Sequence, residues 1–216
     1  MKTAKKYYFF VEGETEKWYL EWLQDKINNE PSSKHKVSID CKIQKNPLKR
    51  AKSINTVSKI EITHLFDYES NDEVHTTQFK ETLDALKKVS TLGKQIKYRL
   101  GYSNFAFELW IVLHKADCNG LLVHRHHYLD PINRAYQENF ESLAQYKHEN
   151  NFKRVLSHIY LSDVRAAISR SKAIMQRNVE NGYQLQQYKN YYYYRENPAL
   201  SVWESIEKIL KDCDLD

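Results

Sequence analysis

Several features are scarce or absent in this chain of 216 residues, and each absence excludes a class of protein. Only three cysteines occur, odd in number and widely spaced (Cys41, Cys118 and Cys213), so we expect reduced thiols in a cytoplasmic protein rather than a disulfide framework. No uncharged apolar run reaches the ~18 residues that a transmembrane helix requires. The apolar stretch behind the basic N-terminus ends at Glu12, which is too early for a secretory signal peptide.

Motifs for nucleotide hydrolysis and for several kinds of covalent catalysis are missing too. The sequence contains no P-loop, no nucleophile elbow and no glycine-rich dinucleotide-binding motif. Any ATP hydrolysis that this protein needs must therefore come from a partner protein.

The composition that remains is that of a globular protein with a modest excess of positive charge. Apolar residues make up 41% of the chain, and 33 basic against 28 acidic side chains give a net charge of +5. This charge permits an anionic partner such as a nucleic acid without identifying one, because electrostatic binding requires clustered charge. Sixteen tyrosines are unusual. The run at 191–194 could stack on bases, but packing inside the protein is the favoured interpretation.

Strand-like and helix-like patterns alternate over the first hundred residues. We predict strands at 7–11, 37–43, 60–66 and 96–100, with helices between them at 14–28, 47–59 and 74–90. This alternation is typical of parallel strands joined by crossover helices, so an α/β fold is expected.

After residue 101 the strand signals fade and helical patterns dominate. Helices are predicted at 105–115, 132–147, 161–181 and 201–213. We therefore expect an α/β domain over residues 1–116 and a helical C-terminal region over residues 117–216, packed on that domain.

Acidic residues close the first and third predicted strands. Glu12 follows the first strand, and Asp67 and Glu69 follow the third. Ligands of parallel α/β sheets bind beyond the carboxyl ends of the strands, so these carboxylates converge if the first strand lies between the second and third. Three oxygen ligands of this kind suit Mg²⁺ or Mn²⁺ rather than zinc. The alternative for each acid alone is stabilisation of a helix N-terminus, the role expected for Glu14 and Glu16.

Glu108 lies in a very apolar predicted helix, where an unpaired carboxylate is unfavourable. Either it forms a salt bridge, with Arg99 or Arg125 as expected partners, or it is a fourth acid that faces the metal pocket. Ser103 or Asn104 is expected to cap this helix.

Histidines carry weaker signals. His114 follows the same apolar helix and is interpreted as a hydrogen-bonded core histidine rather than a base. His124, His126 and His127 resemble a metal-binding tract, but zinc sites need thiols or a second histidine pair at defined spacing, so we interpret them as part of a polar loop.

Basic residues cluster where the second predicted helix begins: Lys45, Lys49, Arg50 and Lys52. Beside an acidic metal site they could hold the phosphates of a nucleic acid. The alternative is an ordinary solvated helix end.

The order of these motifs resembles a known family. The pieces that carry the resemblance are Glu12-Gly13-Glu14-Thr15-Glu16 with Tyr19, Phe66-Asp67, Ser103 to Trp110 with His114, Tyr146-Lys147, and Asn197 to Val202. The first two resemble motifs of Toprim domains, and the whole order resembles the RloB-like branch linked to abortive infection and phage defence in bacteria. The segment Ser-Asn-Phe-x-Phe-Glu-Leu-Trp is the most specific piece. Two departures are Glu69, where the family pattern favours a second aspartate, and Phe105, where proline is common.

The resemblance implies a Toprim-like parallel sheet of about four strands with flanking helices, and a Mg²⁺-dependent nuclease that often acts beside an ATPase partner. Under this hypothesis Glu12, Asp67 and Glu69 hold Mg²⁺ or Mn²⁺, Glu12 could also act as general base, and Glu108 supplements them. We also expect a homo-oligomer, and we expect no membrane partner. Two alternatives stay open: an inactive module that docks an ATPase, and a phosphoryl-transfer enzyme on small nucleotides.

Overall fold

The computed structural model describes residues 2–54, 59–120, 122 and 124–216, without the side chain of Arg50. The predicted nucleic-acid contact by Arg50 therefore lies outside the described residues. So does the part of the predicted second helix that falls on residues 55–58.

A parallel sheet of four strands forms the centre of the first half. Its strands, β1 (Ala4–Val11), β2 (Lys36–Ile43), β3 (Ile60–Tyr68) and β4 (Ile96–Asn104), lie in the order β2-β1-β3-β4. The crossovers contain α1 (Glu14–Asn29), α2 (Pro47–Ser53) and α3 (Glu73–Val89). The predicted α/β fold is confirmed, and β1 lies between β2 and β3, as convergence of the strand-end acids requires.

Apolar spacing explains why α1 packs where it does. Tyr19, Leu20, Leu23 and Ile27 recur at helical spacing and are fully buried. On the other face of the sheet, α3 buries Phe79, Leu83, Leu86 and Val89. Each helix therefore covers the sheet with one apolar stripe.

Short helices dominate the second half. They are α4 (Glu108–Leu113), a 3₁₀ helix (Arg125–Tyr128), α5 (Leu129–Tyr136), α6 (Leu143–Tyr146), α7 (Glu149–Ser157), α8 (Leu161–Glu180) and α9 (Val202–Asp212). An antiparallel hairpin, β5 (Gln186–Tyr188) and β6 (Tyr191–Tyr193), separates the last two helices. Phe9 and Leu20 belong to the same buried cluster as Ile168 and Ile209, so one hydrophobic core joins the sheet to the later helices. No helix in the described ranges is long and apolar enough to cross a membrane.

Two local predictions are corrected. Ser103 and Asn104 do not cap α4; they end β4, because they pair with Asp67 and Tyr68 of β3. The N–H of Asn104 also donates to the carbonyl of Ala199 at 2.9 Å. Phe107 occupies the N-cap position instead. The helix predicted at 132–147 is two helices, because Gln137 adopts a left-handed conformation that ends α5.

The β5–β6 hairpin was not predicted, since its glutamines and tyrosines give no alternation of apolar and polar residues. Tyr193 and Tyr194 are buried, and Tyr193 packs edge-on against Phe79. Packing of the tyrosine run is thus confirmed for these two residues, while Tyr192 is exposed.

Candidate acidic metal site

Two of the predicted acids meet at the carboxyl ends of adjacent strands. Glu12 directly follows β1, and Asp67 lies near the end of β3. The backbone N–H of Asp67 donates a hydrogen bond to Oε2 of Glu12 at 3.3 Å. Both carboxylates therefore occupy the same edge of the sheet, where ligands of parallel α/β folds bind.

Two further carboxylates, buried in the protein, complete what we call the acidic cluster: Glu12, Glu16, Asp67 and Glu108. Glu16 lies in the first turn of α1 and is 6% exposed, and Glu108 begins α4 and is 1% exposed. Burial raises the pKa of Asp67 well above its ordinary value, and the charges of Glu16, Glu108 and Glu12 raise it further. The four acids thus interact electrostatically as one group.

The same causes act on Glu12 and Glu16. Burial raises the pKa of Glu12 to about 7, against the opposing effects of the hydrogen bond from Asp67 and the charge of Lys45. Burial also raises the pKa of Glu16, and the Glu108 charge adds to this effect. The cluster consequently favours either bound protons or a bound cation near neutral pH.

Glu108 forms a salt bridge, but not with a predicted partner. Its Oε1 lies 2.9 Å from Nζ of Lys147, while Arg99 pairs with Glu61 and Arg125 pairs with Glu69. The prediction of Arg99 or Arg125 is therefore wrong.

Several polar atoms around the cluster are buried without a hydrogen-bond partner among the described residues. They are Oε2 of Glu108, the hydroxyl of Tyr146, Oγ of Ser103 and Oδ1 of Asn104. Such groups are unfavourable unless a water, an ion or a ligand satisfies them. Of these atoms, Oε2 of Glu108 belongs to the acidic cluster itself, and a water or a bound cation would satisfy it.

Glu69 lies at the opening of the site rather than in its interior. Its Oε2 is 3.3 Å from Nη1 of Arg125 and 3.5 Å from Nε2 of His75, and its side chain is 40% exposed. It lines a small pocket together with Glu12 and Asp67. Because β3 ends at Tyr68, the extended backbone that would aim both acids the same way does not continue to Glu69.

The residues fit a hydrated divalent cation in chemistry, although the carboxylates are not arranged as a ready ligand set. Four acidic side chains supply only hard oxygen donors, which Mg²⁺ and Mn²⁺ prefer. Within the described part of the chain, no group of three or more His, Cys, Asp or Glu side chains is positioned to hold a metal ion. Binding would therefore require the carboxylates to move closer together.

Of the basic residues at the entry to α2, one lies near the acidic cluster, whereas Lys52 lies near the start of β4, where Lys94 donates to its carbonyl. Lys45, Lys49 and Lys52 are exposed, and the charge of Lys45 lowers the pKa of Glu12. Lys45 thus lies near the site, on the side where β2 and β1 end.

The histidines fall outside the cluster. Nε2 of His114 lies 3.1 Å from the hydroxyl of Tyr19, and its Nδ1 lies 2.9 Å from the carbonyl of Trp110, which confirms the core-histidine interpretation. His124 and His126 stack with ring centroids 4.6 Å apart in the exposed 3₁₀ region.

Sequence reasoning missed the roles of Glu16 and Lys147. Its position at the start of α1 predicts that Glu16 stabilises the helix N-terminus, yet it precedes Tyr19, Leu20 and Leu23 by three, four and seven positions and so shares the buried face of α1. That spacing could have revealed it. Lys147 reaches Glu108 through tertiary packing, for which local spacing gives no signal.

The chain matches the model of a known protein family. A family model described as RloB-like protein matches residues 7–209, a span that contains the whole acidic cluster and Lys147. Neither the curated proteins nor the solved structures include a match.

Proposed function

The chain belongs to the RloB-like family, and from that premise we propose that it is a metal-dependent nuclease that cleaves phosphodiester bonds in DNA or RNA. The observation that carries the proposal is the acidic cluster at the ends of β1 and β3. Four carboxylates share one site with one ion-paired lysine, and Oε2 of Glu108 is buried without a partner in the described residues. A divalent cation with its waters would neutralise this charge and satisfy such oxygens.

Each acid has a role in the proposal. Asp67, Glu16 and Glu108 would hold the cation, and a bound Mg²⁺ or Mn²⁺ would polarise the phosphate. Glu12, with a pKa of about 7, is suited to take the proton from a water that attacks phosphorus. Glu69 could join the ligands only after releasing Arg125 and His75.

The basic residues of α2 and its entry suit the substrate. Exposed Lys45, Lys49 and Lys52 can contact backbone phosphates, which fix the position of a nucleic acid without reading its sequence. They would hold the strand while one phosphate enters the acidic site.

The biological setting is proposed from the family resemblance. We expect the protein to act in anti-phage abortive infection beside a separate ATPase, since its own sequence contains no P-loop. Co-purification of an ATPase with the tagged chain from its native host would test this association.

A cleavage assay with a matched variant tests the nuclease. The purified protein is incubated with plasmid DNA, single-stranded DNA, RNA and free nucleotides, each with Mg²⁺, Mn²⁺ or EDTA. Asp67→Asn should abolish cleavage without unfolding the protein, while Asp25→Asn, which changes an exposed residue of α1, should retain full activity. Cleavage that survives Asp67→Asn would refute the assignment, and turnover of free nucleotides alone would favour a phosphoryl-transfer enzyme.

One observation favours a second candidate, a catalytically inactive module that docks an ATPase. Glu69 is engaged by Arg125 and His75, and no ready ligand set exists among the described side chains. Calorimetry that detects no Mn²⁺ binding, together with tight ATPase binding, would support this candidate over the nuclease.

A further inference from the structure

Among the described residues, one basic side chain forms an ion pair with the acidic cluster. It is Lys147, which pairs with Glu108. Its ammonium contacts Glu108, and its charge also lowers the pKa of Asp67 and Glu16. One positive charge therefore serves three buried or half-buried acids at once.

This pairing is incomplete on the Glu108 side. The ammonium contacts Oε1, while Oε2 remains buried without a partner in the described structure. The hydroxyl of Tyr146, next in sequence to the lysine, is unpartnered as well. A permanent buried salt bridge is stabilising only when its remaining hydrogen-bonding positions are filled.

The lysine end of the pair is open to solvent. The Lys147 side chain is 41% exposed, whereas the Glu108 side chain is 1% exposed. Lys147 follows α6 directly and precedes α7, so its backbone lies in a turn between two helices. A long side chain at such a boundary can move its ammonium into water without exposing the carboxylate behind it.

We propose that Lys147 is an internal counter-ion that a divalent cation displaces. Without metal, its ammonium stabilises the charge of the acidic cluster; when the cation binds, the ammonium moves to the solvent side. The inference rests on the proposed metal site and adds to it a competition between lysine and metal.

Calorimetric titration with Mn²⁺ at pH 8.5 tests this competition, because alkaline pH reduces the competition of protons for all four carboxylates of the acidic cluster. Lys147→Met should bind Mn²⁺ about tenfold more tightly than the wild type, since the competing charge is gone. Lys147→Arg should bind with affinity close to that of the wild type. Lys115→Met, which removes a partly buried pair with Asp163 elsewhere, should leave the affinity unchanged.

A second experiment labels the wild-type protein, so its result does not depend on whether a variant folds. Lysine acetylation followed by mass spectrometry should show Lys147 at least about twofold more reactive with saturating Mn²⁺ than with EDTA, because a released ammonium is more accessible. Lys115 serves as the internal reference and should not change.

The outcomes separate the two proposals. If wild-type protein binds no Mn²⁺, the metal-dependent function fails and the inference fails with it. If the wild type binds Mn²⁺ while Lys147→Met binds no more tightly, and the labelling of Lys147 is unchanged by metal, the inference alone is overturned and Lys147 is a structural salt-bridge residue.

Discussion

The backbone N–H of Asp67 points at the Glu12 carboxylate, and this 3.3 Å hydrogen bond joins the end of β3 to the end of β1. A hydrogen bond to a charged carboxylate lowers its pKa, yet the pKa of Glu12 still rises to about 7 because burial and the Glu16 charge outweigh this bond. The protein therefore stabilises the position of this carboxylate while disfavouring its charge.

This relationship predicts that Glu12→Gln stabilises the metal-free protein at pH 8 while removing cleavage. The pKa of Glu12 is about 7 in the folded state against 4.5 ordinarily, so the folded state binds the proton more tightly. The free energy of unfolding of the wild type consequently falls as pH rises from about 4.5 to 7. The Glu12→Gln variant does not lose this stability, because glutamine stays neutral. We expect a gain of about 1–2 kcal/mol, reduced because Glu12 is partly exposed.

Urea denaturation at pH 4.5 and pH 8 measures this difference. Glu21→Gln, at an exposed position of α1, is the control and should leave the pH dependence unchanged. If Glu12→Gln has the same stability as the wild type at both pH values, the raised pKa is wrong.

In the wild type, cleavage should rise with pH through about 7, because Glu12 must lose its proton before it can accept another from water. The initial rate from pH 5.5 to 9 at fixed Mn²⁺ provides the profile. A rate that is flat across this range would exclude Glu12 as the general base.

Metal binding should stabilise the protein through Glu108. At a Mn²⁺ concentration 100 times its dissociation constant, we expect a gain of about 2.7 kcal/mol in the free energy of unfolding, which EDTA reverses. Glu108→Gln should lose most of this gain, whereas Glu204→Gln on α9 should keep it. Thermal melting with and without Mn²⁺ checks both variants, and an equal shift in the two would remove Glu108 from the site.

The basic residues at the entry to α2 should increase the affinity for nucleic acids of any sequence by a similar amount, because they contact phosphates rather than bases. Replacing Lys45, Lys49 and Lys52 by alanine should reduce the slope of log affinity against log salt by about 2–3, since each phosphate contact contributes about 0.7–0.9. The matched control replaces Lys172, Lys208 and Lys211 of α8 and α9. Equal slopes for the two triple variants, measured by fluorescence anisotropy, would argue against a phosphate-binding role.

Gly101 in β4 should tolerate no side chain without a shift in the core. A Cβ there would overlap Cδ2 of Leu65 and lie 3.4 Å from Cγ2 of Thr63, so Gly101→Ala should destabilise the fold by about 1–3 kcal/mol. At Gly120 the described atoms leave space for the methyl group. Urea denaturation that finds no difference between the two variants would contradict the close packing of β3 and β4.

The sheet could be predicted from sequence because its signals are local. Apolar runs such as Tyr7–Val11 define strands, and the parallel arrangement follows from their alternation with helices. The meeting of Glu12 and Asp67 follows from topology once β1 lies at the centre. Glu16 could have been added, because its spacing from Tyr19 and Leu23 places it on the buried face of α1.

Other features depend on contacts between distant residues. The N–H of Asn104 bonds to the carbonyl of Ala199, and the carboxylate of Glu108 pairs with Lys147. The carboxylate of Glu69 is chemically suited to bind a metal, but in the folded protein it pairs with Arg125, which is distant in sequence. Pattern and spacing along the chain carry no information on such pairings.

The pairing of the C-terminal segment with β4 also bears on self-association. Ser103 bridges Leu200, and the N–H of Ser201 donates to the carbonyl of Tyr102 at 2.9 Å, so the end of β4 beside the acidic site is not free to template another chain. The opposite border of the sheet, β2, carries Asp40 and Lys42, charges of the kind that discourage edge-to-edge aggregation. A shortened protein that stops before residue 199 would uncover backbone groups of β4, and we expect it to precipitate.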